Sequence, residues 1–70
     1  MYGMTKRQFE LFEYLKARDA RGELSPTFRE MRDALGMRSA SSIHYMVKAL
    51  KERGMIDYIH SRARSITVLK

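Results

Sequence analysis

The sequence predicts a mainly α domain of the α+β kind, three helices followed by a C-terminal β-hairpin, as one unit over residues 1–70. Three observations carry that prediction. Apolar residues recur at helix spacing in three segments, and each segment is closed by a glycine. After Gly54 the pattern changes from helix spacing to alternation, which is the period of a strand. At 70 residues, 44% hydrophobic and 31% charged, the chain is not disordered by composition and has room for a single core.

The first helix opens at Thr5-x-x-Gln8, where hydroxyl and amide satisfy backbone N–H groups that have no partner within the helix. Phe9, Phe12 and Leu15 follow on one face, with Leu11 beside them, and the pattern fades before Gly22. A loop, Gly22-Glu23-Leu24-Ser25-Pro26, leads to a second box, Thr27-x-x-Glu30. The second helix sets Phe28, Met31 and Leu35 on one face and stops at Gly36, a residue that tolerates the positive φ of a helix C′ position. Ser39 is the expected N-cap of the third helix, within the hydroxyl-rich stretch 37–42. Ile43, Met46, Val47 and Leu50 point inward, and Gly54 closes the helix. Two helices joined by so short a turn form a helix-turn-helix candidate. Beyond it, Ile56, Tyr58 and His60 alternate with Asp57 and Ile59, while Ile66 and Val68 alternate with Ser65, Thr67 and Leu69. Ser61-Arg62-Ala63-Arg64 makes the turn of this hairpin, without the Asn-Gly or Asp-Gly pair of the tightest hairpins.

Composition excludes several functions. A chain this short does not enclose a substrate pocket of roughly 300–1,000 Å³ and keep a core, so an enzyme is not expected. The absence of cysteine removes disulfides, thiolate metal sites and thiol catalysis, and suits a reducing cytoplasm, the expected location. His44 and His60 have no ligand-spaced partner, and no phosphate loop, G-x-S-x-G or H-E-x-x-H occurs. The carboxylates lie among bases on helix faces, a pattern that suits i,i+4 pairing better than acid–base catalysis. No signal-peptide run and no membrane-spanning run is present. No cofactor, metal, membrane or small-molecule substrate is therefore expected.

The charge does point to a partner. Against 8 acids stand 14 bases, for a net +6. Residues 1–26 nearly balance, with Lys6, Arg7, Lys16, Arg18 and Arg21 against Glu10, Glu13, Asp19 and Glu23. The surplus lies in the helix-turn-helix candidate and the hairpin, and no acid follows Asp57. Arg38, Lys48, Arg62 and Arg64 are candidates for contact with a phosphate backbone. The first turn of the third helix, Ser39-Ala40-Ser41-Ser42, lets a backbone approach closely and offers hydroxyls to base edges. One turn on, His44 and Tyr45 fall on the same exposed side. Each feature has a plainer reading: serines as caps, His44 as a surface histidine, Tyr45 packed on the hairpin, the hairpin arginines as edge protection. Taken together, they repeat the layout of a nucleic-acid reader.

The ordered set Thr5-x-Arg7-Gln8, Ser25-Pro26-Thr27, Leu35-Gly36-Met37-Arg38-Ser39 and Val47-Lys48-Ala49-Leu50-x-x-x-Gly54-x-Ile56 resembles the N-terminal DNA-binding domain of the LexA repressors, over nearly the whole chain. Ile43 and Val47 fall one residue later than in the usual helix-turn-helix, and a turn lengthened by one residue is a feature of the LexA type. The resemblance implies a winged helix-turn-helix whose third helix enters the major groove of double-stranded DNA. It implies base contacts from Ser39, Ser41, Ser42, His44 and Tyr45, and phosphate or wing contacts from Arg7, Thr27 and Arg64. LexA proteins often carry acidic or amide residues where this chain has Ser41, His44 and Tyr45, so a half-site other than the familiar SOS boxes is expected. No Ala-Gly dipeptide for self-cleavage and no Ser–Lys protease domain is present in these residues. Two readings stay open, a domain cut from a longer protein or a standalone small regulator, with the second slightly favoured; either is expected to act as a repressor by promoter occlusion, with a second copy possible on a palindromic site. The alternative is a winged-helix adaptor that binds a host regulator or polymerase.

Overall fold

Each helix begins where the sequence places a hydroxyl and ends where it places a glycine. In the computed structural model, which describes residues 4–59 and 62–69, α1 spans Lys6–Ala20, α2 Phe28–Ala34 and α3 Ala40–Glu52. Strands β1 (Ile56–Asp57) and β2 (Thr67–Val68) complete the order α1-α2-α3-β1-β2. This is the architecture of a winged helix-turn-helix. Both expected capping boxes are formed. Thr5 Oγ1 accepts from Gln8 N–H at 3.1 Å and Gln8 Oε1 from Thr5 N–H at 3.3 Å. Thr27 and Glu30 repeat the exchange at 3.1 and 2.9 Å. Ser39 caps α3, its Oγ accepting from Ser41 N–H at 3.1 Å.

The turn between α2 and α3 depends on Gly36, whose φ is +67°. That left-handed residue lets Met37 N–H donate to Arg32 O at 3.0 Å and Gly36 N–H to Asp33 O at 3.2 Å, so that carbonyls orphaned at the helix end are satisfied. The same pair of bonds closes α1 and α3.

The core is assembled around α3. Its inward residues Ile43, Met46, Val47 and Leu50 are all buried, as their spacing predicts. They meet Leu11, Phe12 and Leu15 of α1, Met31 of α2 and Ile56 of β1 in one cluster. Leu11 proves central rather than peripheral, being fully buried, whereas Phe9 is only half-buried. Leu11 and Leu15 are one turn apart and define the inward line of α1, while Phe9 lies about 60° beyond Phe12 on the helix circumference, at the edge of the buried arc. Ion pairs along α1 fall at i,i+3, Arg7–Glu10 at 3.2 Å and Glu13–Lys16 at 3.7 Å, instead of at the expected i,i+4.

The hairpin is antiparallel, with Ile56 opposite Val68 and Asp57 opposite Thr67. Its ladder is shorter than the alternation predicts, because the next donors are diverted to side chains. Tyr58 N–H bonds Asp57 Oδ1 at 2.8 Å, and Ile59 N–H bonds Ser65 Oγ at 2.9 Å. His60 and Ser61 of the expected strand and turn lie outside the described residues.

What the ladder lacks is supplied by contacts to the helices. Arg64 grips Glu30 through a two-pronged pair, Nη1 to Oε1 at 3.0 Å and Nη2 to Oε2 at 2.9 Å, and also bonds Ser25 O at 3.2 Å. Ile66 N–H donates to Ser25 Oγ at 2.9 Å. At the hairpin base, Lys51 Nζ reaches Tyr58 O at 3.2 Å and sits 4.8 Å from the Tyr58 ring centre. The Arg64 guanidinium, aided by the Thr27 N–H, holds the Glu30 carboxyl below its ordinary value of 4.5.

Two predictions follow from these contacts. Nothing lies within 4 Å of a Cβ placed on Gly36, so Gly36→Ala costs the backbone strain alone, about 1–2 kcal/mol. Gly36→Asn costs less, because asparagine visits this region more readily. Urea unfolding reads both as a fall in midpoint at constant slope. The second concerns acid. A carboxyl with a depressed folded pKa stabilises above its unfolded value and loses that contribution as pH falls through the folded one. Glu30→Gln therefore flattens the pH dependence of unfolding free energy below about pH 5, leaving the slope from Glu23, which Arg21 also depresses.

Candidate nucleic-acid interface

Burying Ile43, Met46, Val47 and Leu50 forces the opposite side of α3 outward. Ser41, Tyr45, Lys48 and Glu52 recur there at helix spacing, all exposed, with Ser42 beside them. Tyr45 is 71% exposed, although its size and apolar ring suit burial. The first turn of α3 carries no acid, so the positive end of the helix dipole is left uncompensated there. Ser39 and Ser41 share a hydroxyl–hydroxyl bond of 2.6 Å at this end. Ser39 therefore caps the helix and also fixes the orientation of the next exposed hydroxyl.

His44 occupies a different setting from Tyr45. It is half-buried, its ring centre 5.7 Å from that of Phe28 and 6.1 Å from that of Tyr45. Phe28 in turn meets Tyr58 edge-on at 6.5 Å. An aromatic row thus runs from the wing base across α2 to the outer face of α3. Beside it, His44, Lys48, Lys51, Glu52 and Tyr58 line an open recess of about 480 Å³. The predicted pair of neighbours is therefore split between an exposed tyrosine and a packed histidine.

The remaining predicted residues fall into two groups. Arg38, in the turn, Lys48, on α3, and Arg62, on the wing, are exposed and make no ion pair among the described residues. Arg7, Thr27 and Arg64 are engaged within the fold. Arg7 donates to Leu35 O at 3.0 Å while pairing with Glu10, which places its guanidinium at the end of α2. Thr27 is the cap of α2. Arg64 is the partner of Glu30 and adopts a left-handed backbone, φ +54°.

Ion pairing sorts the cations by position. In α1 and the loop after it, Arg7, Lys16, Arg18 and Arg21 each have an acidic partner. Lys6 is the exception there. Around α2, the turn, α3 and the wing, Arg32 pairs with Asp33, Lys51 with Asp57 and Arg64 with Glu30, while Arg29, Arg38, Lys48 and Arg62 have no ion pair among the described residues. The uncompensated positive charge is therefore spread over the elements that surround the exposed stripe of α3, a surface suited to a polyanion. Sequence reasoning missed Arg29, which is exposed in the first turn of α2 two residues after the cap, and Lys51, which fixes the wing base. Proximity to Thr27 and a position one turn from Lys48 were the available signals.

Comparison with known proteins agrees with this surface. The family described as the LexA DNA binding domain matches residues 1–65. A LexA repressor of Cereibacter sphaeroides is 46% identical over 67 residues, covering 96% of this chain and 30% of that protein. The LexA repressor of a second strain is 45% identical over 67 residues, covering 96% and 29%. The chain thus spans about 30% of the length of these relatives, and the matched part is a binding domain rather than a catalytic one. With a match over nearly all of its length, this chain belongs to the LexA DNA-binding domain family.

Proposed function

We propose that the domain is a sequence-specific reader of double-stranded DNA and represses transcription by occluding a promoter. The observation that carries this reading is the exposed stripe of α3, held rigid by a fully buried opposite face and surrounded by unpaired cations. A helix of this width enters the major groove. Ser39, Ser41, Ser42, His44 and Tyr45 address base edges there. Tyr45 meets a thymine methyl with its ring, and the serines exchange hydrogen bonds with base edges or phosphates. Arg7, Thr27, Arg38, Lys48 and Arg62 set register on the backbone, and Arg64 contributes through the wing that it anchors. One domain of this size covers about 600–1,000 Å² of surface. Two copies on a palindrome raise occupancy beyond that of one.

Selection from randomised duplexes at near-physiological salt, followed by sequencing, tests the proposal. A motif enriches if the domain reads bases. A paired half-site marks two copies and a single one marks a monomer. Neutralising about five phosphates gives a log–log salt slope of about −4 to −5. Tyr45→Ala changes preference at one base position and costs about 1–3 kcal/mol on the selected site. Lys48→Ala weakens all duplexes alike and reduces the salt slope by about 1, whereas Arg62→Ala weakens chiefly the selected duplex, on which the docked α3 brings the wing to the backbone. A folded domain with steep salt dependence and no enriched motif overturns the reading and directs the search to a protein partner.

A further inference from the structure

We propose that Glu30 is a positioning residue for DNA binding: acting through Arg64, it sets the wing at the angle from which Arg62 reaches the DNA backbone, without touching DNA itself. The inference rests on the DNA-reading function proposed above and names a residue of that same surface.

Glu30 stands at a junction. One carboxylate oxygen, Oε1, accepts from Thr27 N–H at 2.9 Å to cap α2 and from Arg64 Nη1 at 3.0 Å, while Oε2 takes Arg64 Nη2 at 2.9 Å. A single side chain therefore fixes both the start of α2 and the approach of the wing. The wing needs such an external fixture. Among the described residues two pairs form its ladder, Ile56 with Val68 and Asp57 with Thr67, and a two-stranded ribbon alone is marginal in water. Beyond the ladder, Arg64 to Glu30 and to Ser25 O, with Ile66 N–H to Ser25 Oγ, carry the wing's attachment to the α1–α2 loop and to α2.

The backbone of Arg64 adds a second observation. Its φ of +54° is a conformation that a non-glycine residue keeps only when its surroundings fix it. Here the fixture is the guanidinium, held from Glu30 and Ser25 at once. Arg62, exposed and without an ion pair among the described residues, lies two positions before it in a turn closed by Arg62 N–H to Ile59 O at 3.0 Å and Ser65 Oγ to Arg62 O at 2.9 Å, so the clasp on Arg64 places that turn, and Arg62 with it, as one unit. The clasp thus spends one cation of the wing to aim another.

Coulomb's law alone gives the opposite expectation. Removing an acid from a basic domain strengthens its attraction to a polyanion. The sign of the effect therefore separates positioning from charge. Glu30→Gln is the appropriate variant, since Gln8 makes the same capping box in α1 and the cap survives. Arg64→Gln leaves the cap untouched. Each variant, and the double variant, is measured for binding to the selected duplex and to an unrelated duplex of equal length at one salt concentration, with thermal melting by circular dichroism.

The expected result is a loss of about two- to tenfold on the selected duplex for either single variant. On the unrelated duplex, Glu30→Gln is unchanged or tighter, so the preference ratio falls. The double variant is no worse than the weaker single one, because both changes break one unit. Tighter binding of both duplexes by Glu30→Gln, with equal weakening of both by Arg64→Gln, overturns the proposal, as does an unchanged ratio. If Glu30→Gln does not fold at the assay temperature, Arg64→Gln decides by the same ratio: a selective loss supports positioning, and an equal loss on both duplexes overturns it. Lack of any sequence preference in the wild-type domain overturns the DNA-reading function and this inference with it, whereas an intact wild-type preference with an unmoved ratio overturns this inference alone.

Discussion

Burial of one face of α3 is the constraint on which the rest of the structure depends. Ile43, Val47 and Leu50 are fully buried, and α1, α2 and β1 each pack against that helix. In so small a chain the core is worth only about 3–5 kcal/mol, so a truncation on that face removes most of the stability. The same burial gives the opposite face its rigidity. A side chain on a helix fixed along its length is placed more precisely than one on a loop. Tyr45 stays at the surface because Met46 and Val47, next along the chain, are committed inward.

Charge is distributed by the same logic. Acids on α1 and its following loop pair with the bases nearby, and so hold that part of the molecule near neutrality. Exposed pairs of this kind add little stability, and their consequence is to leave the positive field to α2, α3 and the wing. Of the acids within the basic region, Asp33 and Asp57 pair with bases on the same or the adjoining element, whereas the Glu30 carboxylate both caps a helix and grips the wing. An acid there lowers the field that attracts a polyanion, so its presence has to be explained by geometry.

How much was legible in the sequence follows from the range of each interaction. The helix caps and glycine stops were readable because each is closed within a few residues, and the inward stripe of α3 because helical spacing is a local property. Family and fold were legible in the motifs around the turn. The position of Phe9 was misjudged since two arcs fit the α1 pattern until α3 is in place to choose between them. The hairpin was readable, yet its length was not, because Asp57 and Ser65 side chains compete for the ladder's donors. The clasp was invisible: Arg64 and Glu30 are 34 residues apart, and a capping glutamate gives no sign of a second partner. His44 was read as exposed because its contact with Phe28 depends on how α2 crosses α3.

The interface also ranks its own residues. In the free protein the Ser39 and Ser41 hydroxyls already bond each other at 2.6 Å, and Ser39 Oγ holds the Ser41 N–H as well. Turning either toward a base exchanges one hydrogen bond for another, and the net gain from such an exchange is small. Loss of the Ser39 cap, by contrast, costs about 1 kcal/mol of helix stability. Tyr45 carries no such obligation. Its exposed ring buries apolar surface on contact and gives up only side-chain freedom, and tyrosine has few rotatable bonds to lose. The helix N-terminus is thus built to be steady, with serines that preserve α3 as much as they read. Discrimination between sequences then concentrates one turn later, at Tyr45, and in the angle at which the clasped wing presents Arg62.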